Sequence, residues 1–172
     1  MDIDLTSAVA YSIYLVWLAC GRLDFALHQR TSISTTSGVA ESVLHGVQIG
    51  IIGAGAVAWL AMLPSWANGL LLVFLGTAHA VAGYLDTKSA DQVRRISPLE
   101  QHVHSVLDIA PWVFIGWALA SATPGWLFSW DPRETYVWGA VLLPALPMVI
   151  VPWLREIRGA IAARRRSRQL SP

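Results

Sequence analysis

Five stretches of roughly 20 mostly apolar residues follow one another between short polar breaks, and that is the length an α-helix needs to cross the hydrocarbon of a bilayer. Lipid offers the backbone no hydrogen-bond partners, so spanning segments of this kind must satisfy their own N–H and C=O groups as helices. The expected fold class is therefore an all-α integral membrane protein with five transmembrane helices. Composition agrees: 55% of the 172 residues are hydrophobic and 13% charged, too apolar for an ordinary soluble domain of this length.

The spans are expected at about 5–29, 39–62, 68–88, 98–122 and 132–157, in a single membrane domain covering 1–172 that ends in a basic tail, 158–172. Local chemistry sets these limits. A Ser/Thr-rich loop from Thr31 to Gly38 separates the first two helices, and Leu63-Pro64-Ser65 breaks the second from the third, which Asn68 is expected to cap. Ser97-Pro98-Leu99-Glu100 is a capping box with proline at the first helical position, and Asp131-Pro132-Arg133-Glu134 repeats the device. Pro144, Pro147 and Pro152 predict a kinked fifth helix. Met1-Asp2-Ile3-Asp4 lacks the positive flank of a cleavable signal peptide, so the first apolar segment is expected to persist as a span.

Basic residues orient the bundle. All but one of the 12 Lys and Arg fall at the ends joining helices 1 to 2 and 3 to 4 or in the tail; only Arg133 lies opposite. Lys and Arg in short loops favour the cytoplasm, which predicts an N-terminus outside, a cytoplasmic C-terminus and a bacterial-type inner membrane location. Trp66, Trp126 and Trp130 then suit the outer interface and Trp153 the inner one. Arg164-Arg165-Arg166 with Arg168 fits attraction to the headgroups of anionic membrane lipids. No nucleic-acid module accompanies that run, so no nucleic-acid partner is expected.

The polar residues inside the spans carry the chemistry. Ionisable groups at membrane depth cost a few kcal/mol each, about 2.5–3.5 on insertion scales, and persist where they pair, bind ions or react. Asp24 and His28, Glu41 and His45, and Glu100 and His104 each stand at i and i+4, sharing a helix face. His79 and Asp86 share a face too, but about 10 Å apart along the axis. Alternating helices bring all these pairs to the basic end. His28, Glu41, Asp86 and Glu100 form a shallower layer, Asp24, His45 and His104 a deeper one, and His79 lies level with Asp108 below.

One cysteine, Cys20, excludes disulfide or thiolate-based metal sites within one chain. The expected metal ligands are thus Asp24, His28, Glu41, His45, His79, Asp86, Glu100 and His104, with Asp108 and His102 outside the coordination sphere. Glu100 has two open roles, ligand and helix cap. Arg22 either balances the carboxylates or snorkels to the interface.

Across residues 24 to 108 this ligand set resembles that of the di-iron carboxylate oxidases and hydroxylases, including membrane-bound members. The pairs are Glu-x-x-x-His and Asp-x-x-x-His, not the Glu-x-x-His of that class. The resemblance implies two divalent metal ions, with iron preferred and zinc the alternative. The function expected is an oxidoreductase of monooxygenase type, activating dioxygen to oxidise or hydroxylate a lipophilic small-molecule substrate from the bilayer. With no reductase domain in the sequence, it needs an external electron donor. The alternatives are a zinc-dependent membrane lipid hydrolase, for which Ser42 and Asp108 would matter, and a haem-binding or divalent-metal transport protein.

Overall fold

A computed structural model describes the backbone of residues 5–31 and 38–170, and the side chains from residue 7 onward within those limits. The expected start at Met1 to Asp4 and most of the Thr31 to Gly38 loop lie outside the described residues. The elements are α1 (Leu5–Arg30), α2 (Gly38–Ala61), α3 (Trp66–Asp91), α4 (Pro98–Ala120), α5 (Thr135–Ala145), a π-helical turn (Leu146–Ile150) and α6 (Val151–Gln169). The last three run on as one continuous span, so five helices are long and apolar enough to cross a membrane. Among the described residues the only strand-like pairings are two isolated bridges. The chain is an all-α membrane protein.

Helix ends follow the expected capping with three corrections, the first being that Asp131 to Glu134 forms no capping box: Glu134 itself is the N-cap of α5, without a side-chain hydrogen bond, and the helix opens at Thr135, not at 132. Ser97 and Glu100 form the anticipated capping box of α4. The cap of α3, however, is Ser65, whose Oγ accepts from the Asn68 N–H at 3.3 Å, so the helix opens at Trp66 and not at Asn68. The fifth span also does not end near Ile157: α6 continues to Gln169, and the basic tail is helical. Ala and Arg are strong helix formers, and no proline follows Pro152 before the helix ends.

Where the prolines predict a kink, the span passes through the π-helical turn. Pro144 withholds the backbone donor that would reach the Ala140 carbonyl, and that carbonyl finds a partner on α1. Tyr11 donates its hydroxyl to the Ala140 carbonyl at 3.3 Å, and Tyr14 donates to that of Val141.

Glycines decide how closely the helices approach. A Cβ at Gly76 would stand 2.5 Å from Ile115 Cδ1, and one at Gly46 2.6 Å from the Trp153 ring, so these positions let α4 and α6 seat against α3 and α2. Trp153 is therefore packed on α2, where its indole N–H donates to the Ser42 carbonyl at 2.8 Å. Ala58, Leu72 and Ile115 form the apolar core between α2, α3 and α4. At the end remote from the tail, residues 121–134 fold back on the α2–α3 connection through backbone bonds such as Leu63 N–H to Ser129 and Arg133 N–H to Leu60. Trp66 and Trp126 meet there edge to face.

Candidate metal centre

The end of α1, the start of α2, the end of α3 and the start of α4 converge at the end of the bundle that carries the basic tail. Helical spacing turns each i, i+4 pair inward. Asp24, His28, Glu41, His45, Asp86 and Glu100 are all buried, and His28, Glu41 and Glu100 have no exposed surface at all. His104 is half-buried beside them, its Nε2–H donating to Asp24 Oδ1 at 3.0 Å.

A residue from the fifth span organises the centre. The Glu156 carboxylate accepts from His28 Nδ1–H at 3.0 Å through Oε2 and from His45 Nδ1–H at 2.8 Å through Oε1. The two imidazoles are thereby stacked, their centroids 4.7 Å apart and their planes within 4°. Trp153, one turn earlier in α6, fixes this position by its seat on Gly46.

With Nδ1 as the donor on both rings, Nε2 of each neutral ring carries a lone pair. His28 Nε2 faces Asp24 Oδ1 at 3.4 Å, Glu100 Oε1 at 3.5 Å and Glu41 Oε1 at 3.7 Å. His45 Nε2 faces Asp86 Oδ2 at 3.1 Å. Neither Nε2 makes a hydrogen bond, although both are buried. On neutral rings these lone pairs repel the carboxylate oxygens in a poorly solvated site unless a cation lies between them, whereas protonated rings pair with the same carboxylates directly. A carboxylate on Nδ1 and an open Nε2 is also the arrangement by which a carboxylate orients a metal-binding imidazole.

Three groups of side chains bring donor atoms within 4.8 Å of one another: Asp24, His28 and His45; His28, Glu100 and His104; and Glu41, His45 and Asp86. The first shares His28 with the second and His45 with the third, so the groups adjoin as a dinuclear layout would require. Seven of the eight expected ligands belong to them.

Arg94 closes the centre from the α3–α4 connection. Its Nη2 donates to Glu41 Oε1 at 2.6 Å and Glu100 Oε1 at 2.5 Å, while Nη1 and Nε reach the second oxygens of Glu100 and Glu41 at 3.0 and 3.4 Å. Burial works against the guanidinium charge, but the hydrogen bonds and charges of Glu100 and Glu41 outweigh it and hold the Arg94 pKa above its ordinary value. Glu100 also accepts from the Ser97 N–H at 3.4 Å, so its carboxylate caps α4 and faces the centre at once. Arg22 is exposed; the balancing cation is Arg94.

Five carboxylates, Asp24, Glu41, Asp86, Glu100 and Glu156, against one guanidinium leave four negative charges if the imidazoles are neutral. Two divalent ions would match them.

His79 lies outside the three groups. It lines, with Asp108, a cavity of about 390 Å³ that extends from the centre along the bundle and is also walled by Asp24, His45, Asp86 and His104. His102 is exposed, its ring bonded at 2.8 Å to the Pro98 carbonyl of its own helix, away from the centre.

Glu156 and Arg94 are the residues that sequence reasoning did not include. The available signal for Glu156 was a single acid set one helical turn after Pro152 at the apolar edge of the tail. Comparison with protein-family models, characterised proteins and solved structures finds no match. The chemistry of the centre stands on its geometry.

Proposed function

We propose that the chain is a membrane oxidoreductase whose centre holds two divalent metal ions, iron by preference, and activates dioxygen to oxidise or hydroxylate a lipophilic substrate. The observation that carries this reading is the pair of stacked imidazoles, held by one glutamate so that two Nε2 atoms without a hydrogen-bond partner face a carboxylate-rich pocket. Mixed imidazole and carboxylate ligands suit iron, and the metals would supply the dioxygen chemistry. Asp24, His28, His45, Glu41, Asp86, Glu100 and His104 are the ligands in this reading. Glu156 orients the two rings, and Arg94 neutralises the surplus charge and seals the centre on its solvent side. Positive-inside bias makes that side cytoplasmic, with the N-terminus outside, so an external electron donor delivers electrons there.

The zinc hydrolase reading draws on Asp108, which faces the cavity and can act as a base, but Ser42 does not line that cavity. Haem is the poorer fit. Its two axial imidazoles approach the iron from opposite faces of the porphyrin, whereas His28 and His45 stack directly on each other.

Metal analysis and Mössbauer spectroscopy on protein purified from its native host test the proposal. Two irons per chain, lost in Glu41→Ala and His45→Ala variants, support it. One zinc per chain favours hydrolysis, and no metal in the wild type replaces the centre with a network of imidazolium–carboxylate ion pairs.

A further inference from the structure

His79 and Asp108 are the ionisable groups that the centre leaves over. His79 is only 5% exposed, yet it has no hydrogen-bond or ion-pair partner among the described residues, and its ring borders the 390 Å³ cavity. Asp108 reaches the same wall because Gly83, one turn along α3 from His79, carries no side chain: a Cβ there would stand 2.9 Å from Asp108 Oδ1 and 3.5 Å from Gln48 Oε1. A buried imidazole with no partner is costly unless something fills the gap. What would fill it must come from the cavity.

The cavity is narrow and long. On α2 its wall runs from His45 to Ala56, about 16 Å at 1.5 Å per residue. Its volume falls within the range of about 300–1,000 Å³ common to small-molecule sites. Beyond the polar patch the walls are apolar, with Trp17, Ile52, Leu146 and Val149 among them. On the bilayer side the wall is α5 and the π-helical turn, neither of which buries a residue, so a single helix separates cavity from lipid. No Lys or Arg lines it, so an anionic headgroup would meet Asp108 with no counter-charge.

We propose that this cavity binds a slender, single-chain lipophile bearing a neutral hydroxyl or carbonyl, which His79 and Asp108 hold by hydrogen bonds while the apolar chain lies along α1, α2 and the π-helical turn. The inference rests on the reading of the cavity as the substrate site and names the substrate class. It also moves His79 from metal ligation to substrate recognition. A carbon of the bound chain is then presented to the Asp24 and His104 end of the centre.

The test uses the full chain in lipid nanodiscs and photoreactive probes: a straight-chain fatty alcohol with a diazirine at its far end, the matching hydrocarbon, fatty acid and fatty amine, and peptide mapping of the label. Gly53 lines the cavity and Gly50 does not, and a Cβ at either meets nothing within 4 Å, so a side chain can be started at both positions without a clash. Gly53→Leu is expected to abolish labelling of the cavity wall by the alcohol, and Gly50→Leu to preserve it. His79→Leu is expected to lower labelling by the alcohol about tenfold, the worth of one buried hydrogen bond, and to leave the hydrocarbon probe unchanged.

Labelling indifferent to Gly53→Leu overturns the site. Equal effects of His79→Leu on alcohol and hydrocarbon, or stronger labelling by the acid or amine than by the alcohol, overturn the polar recognition. Metal content read on the same samples separates the two proposals: labelling that behaves as expected in metal-free protein removes the oxidoreductase and keeps the binding site. Intact metal with labelling that ignores Gly53→Leu does the reverse.

Discussion

The third and fifth spans cross the same bilayer and are built in opposite ways. In α3, ten residues are buried, seven of them recurring every three or four positions from Gly69 to Ala90, and most of the ten are small, which lets neighbouring helices close on it. In α5 and the π-helical turn none is buried, and that half of the fifth span is held to α1 by two tyrosine hydroxyls on backbone carbonyls. Only after Pro152 does the fifth span enter the protein, with Trp153, Glu156 and Ala160. Apolar character alone suits a helix equally to lipid and to protein; the placement of small residues and the rare acid decide which. Both spans contribute to the wall of the cavity, α3 through His79, Gly83 and Asp86 and the fifth through Val141, Leu146 and Val149.

The largest effect is expected at the connection following α3. Arg94→Ala would strand Glu41 and Glu100 buried without their guanidinium, a loss of about 3–5 kcal/mol, read as a fall in the thermal unfolding midpoint in detergent. If cations occupy the centre, adding iron returns part of that stability, and a loss untouched by metal counts against them.

Next comes the acid that the fifth span places on both imidazoles. Glu156→Gln replaces one acceptor oxygen by an amide, so it can orient one ring but not both, and metal affinity is expected to drop about 10–100-fold. Titration with a competing chelator measures this, and an unchanged affinity would reduce Glu156 to a packing residue.

The contrast between the spans is tested by paired glycine substitutions. Gly76→Val presses on Ile115 and is expected to cost about 1–3 kcal/mol. Gly139→Ala on α5 meets only Leu143 Cδ1 at 3.7 Å and is expected to stabilise by about 0.5–1 kcal/mol through helix propensity. Equal costs at the two sites would show α5 to be packed as tightly as α3.

How much of this was legible follows from what lipid penalises. Exposed charge and unpaired backbone are so costly there that span count, helix faces and the convergence of Asp24, His28, Glu41, His45, Asp86, Glu100 and His104 could be read from spacing alone. The separate depth of His79 was legible for the same reason, since seven residues of helix cannot be folded away. Glu156 was not. It lies between Arg155 and Arg158, where composition suggests a solvated tail, and its partners stand 128 and 111 residues away in the chain. Arg94 was hidden likewise in a polar connection, because nothing local distinguishes a guanidinium that folds inward from one that stays in water. The length of α6 was missed because a basic run reads as a tail whether or not it is helical.

The grip of one carboxylate on both His28 and His45 has a mechanical corollary. The two rings belong to α1 and α2 but share one acceptor on a helix that continues without interruption into the arginine-rich segment, so a displacement of that helix would shift the acceptors of both rings together.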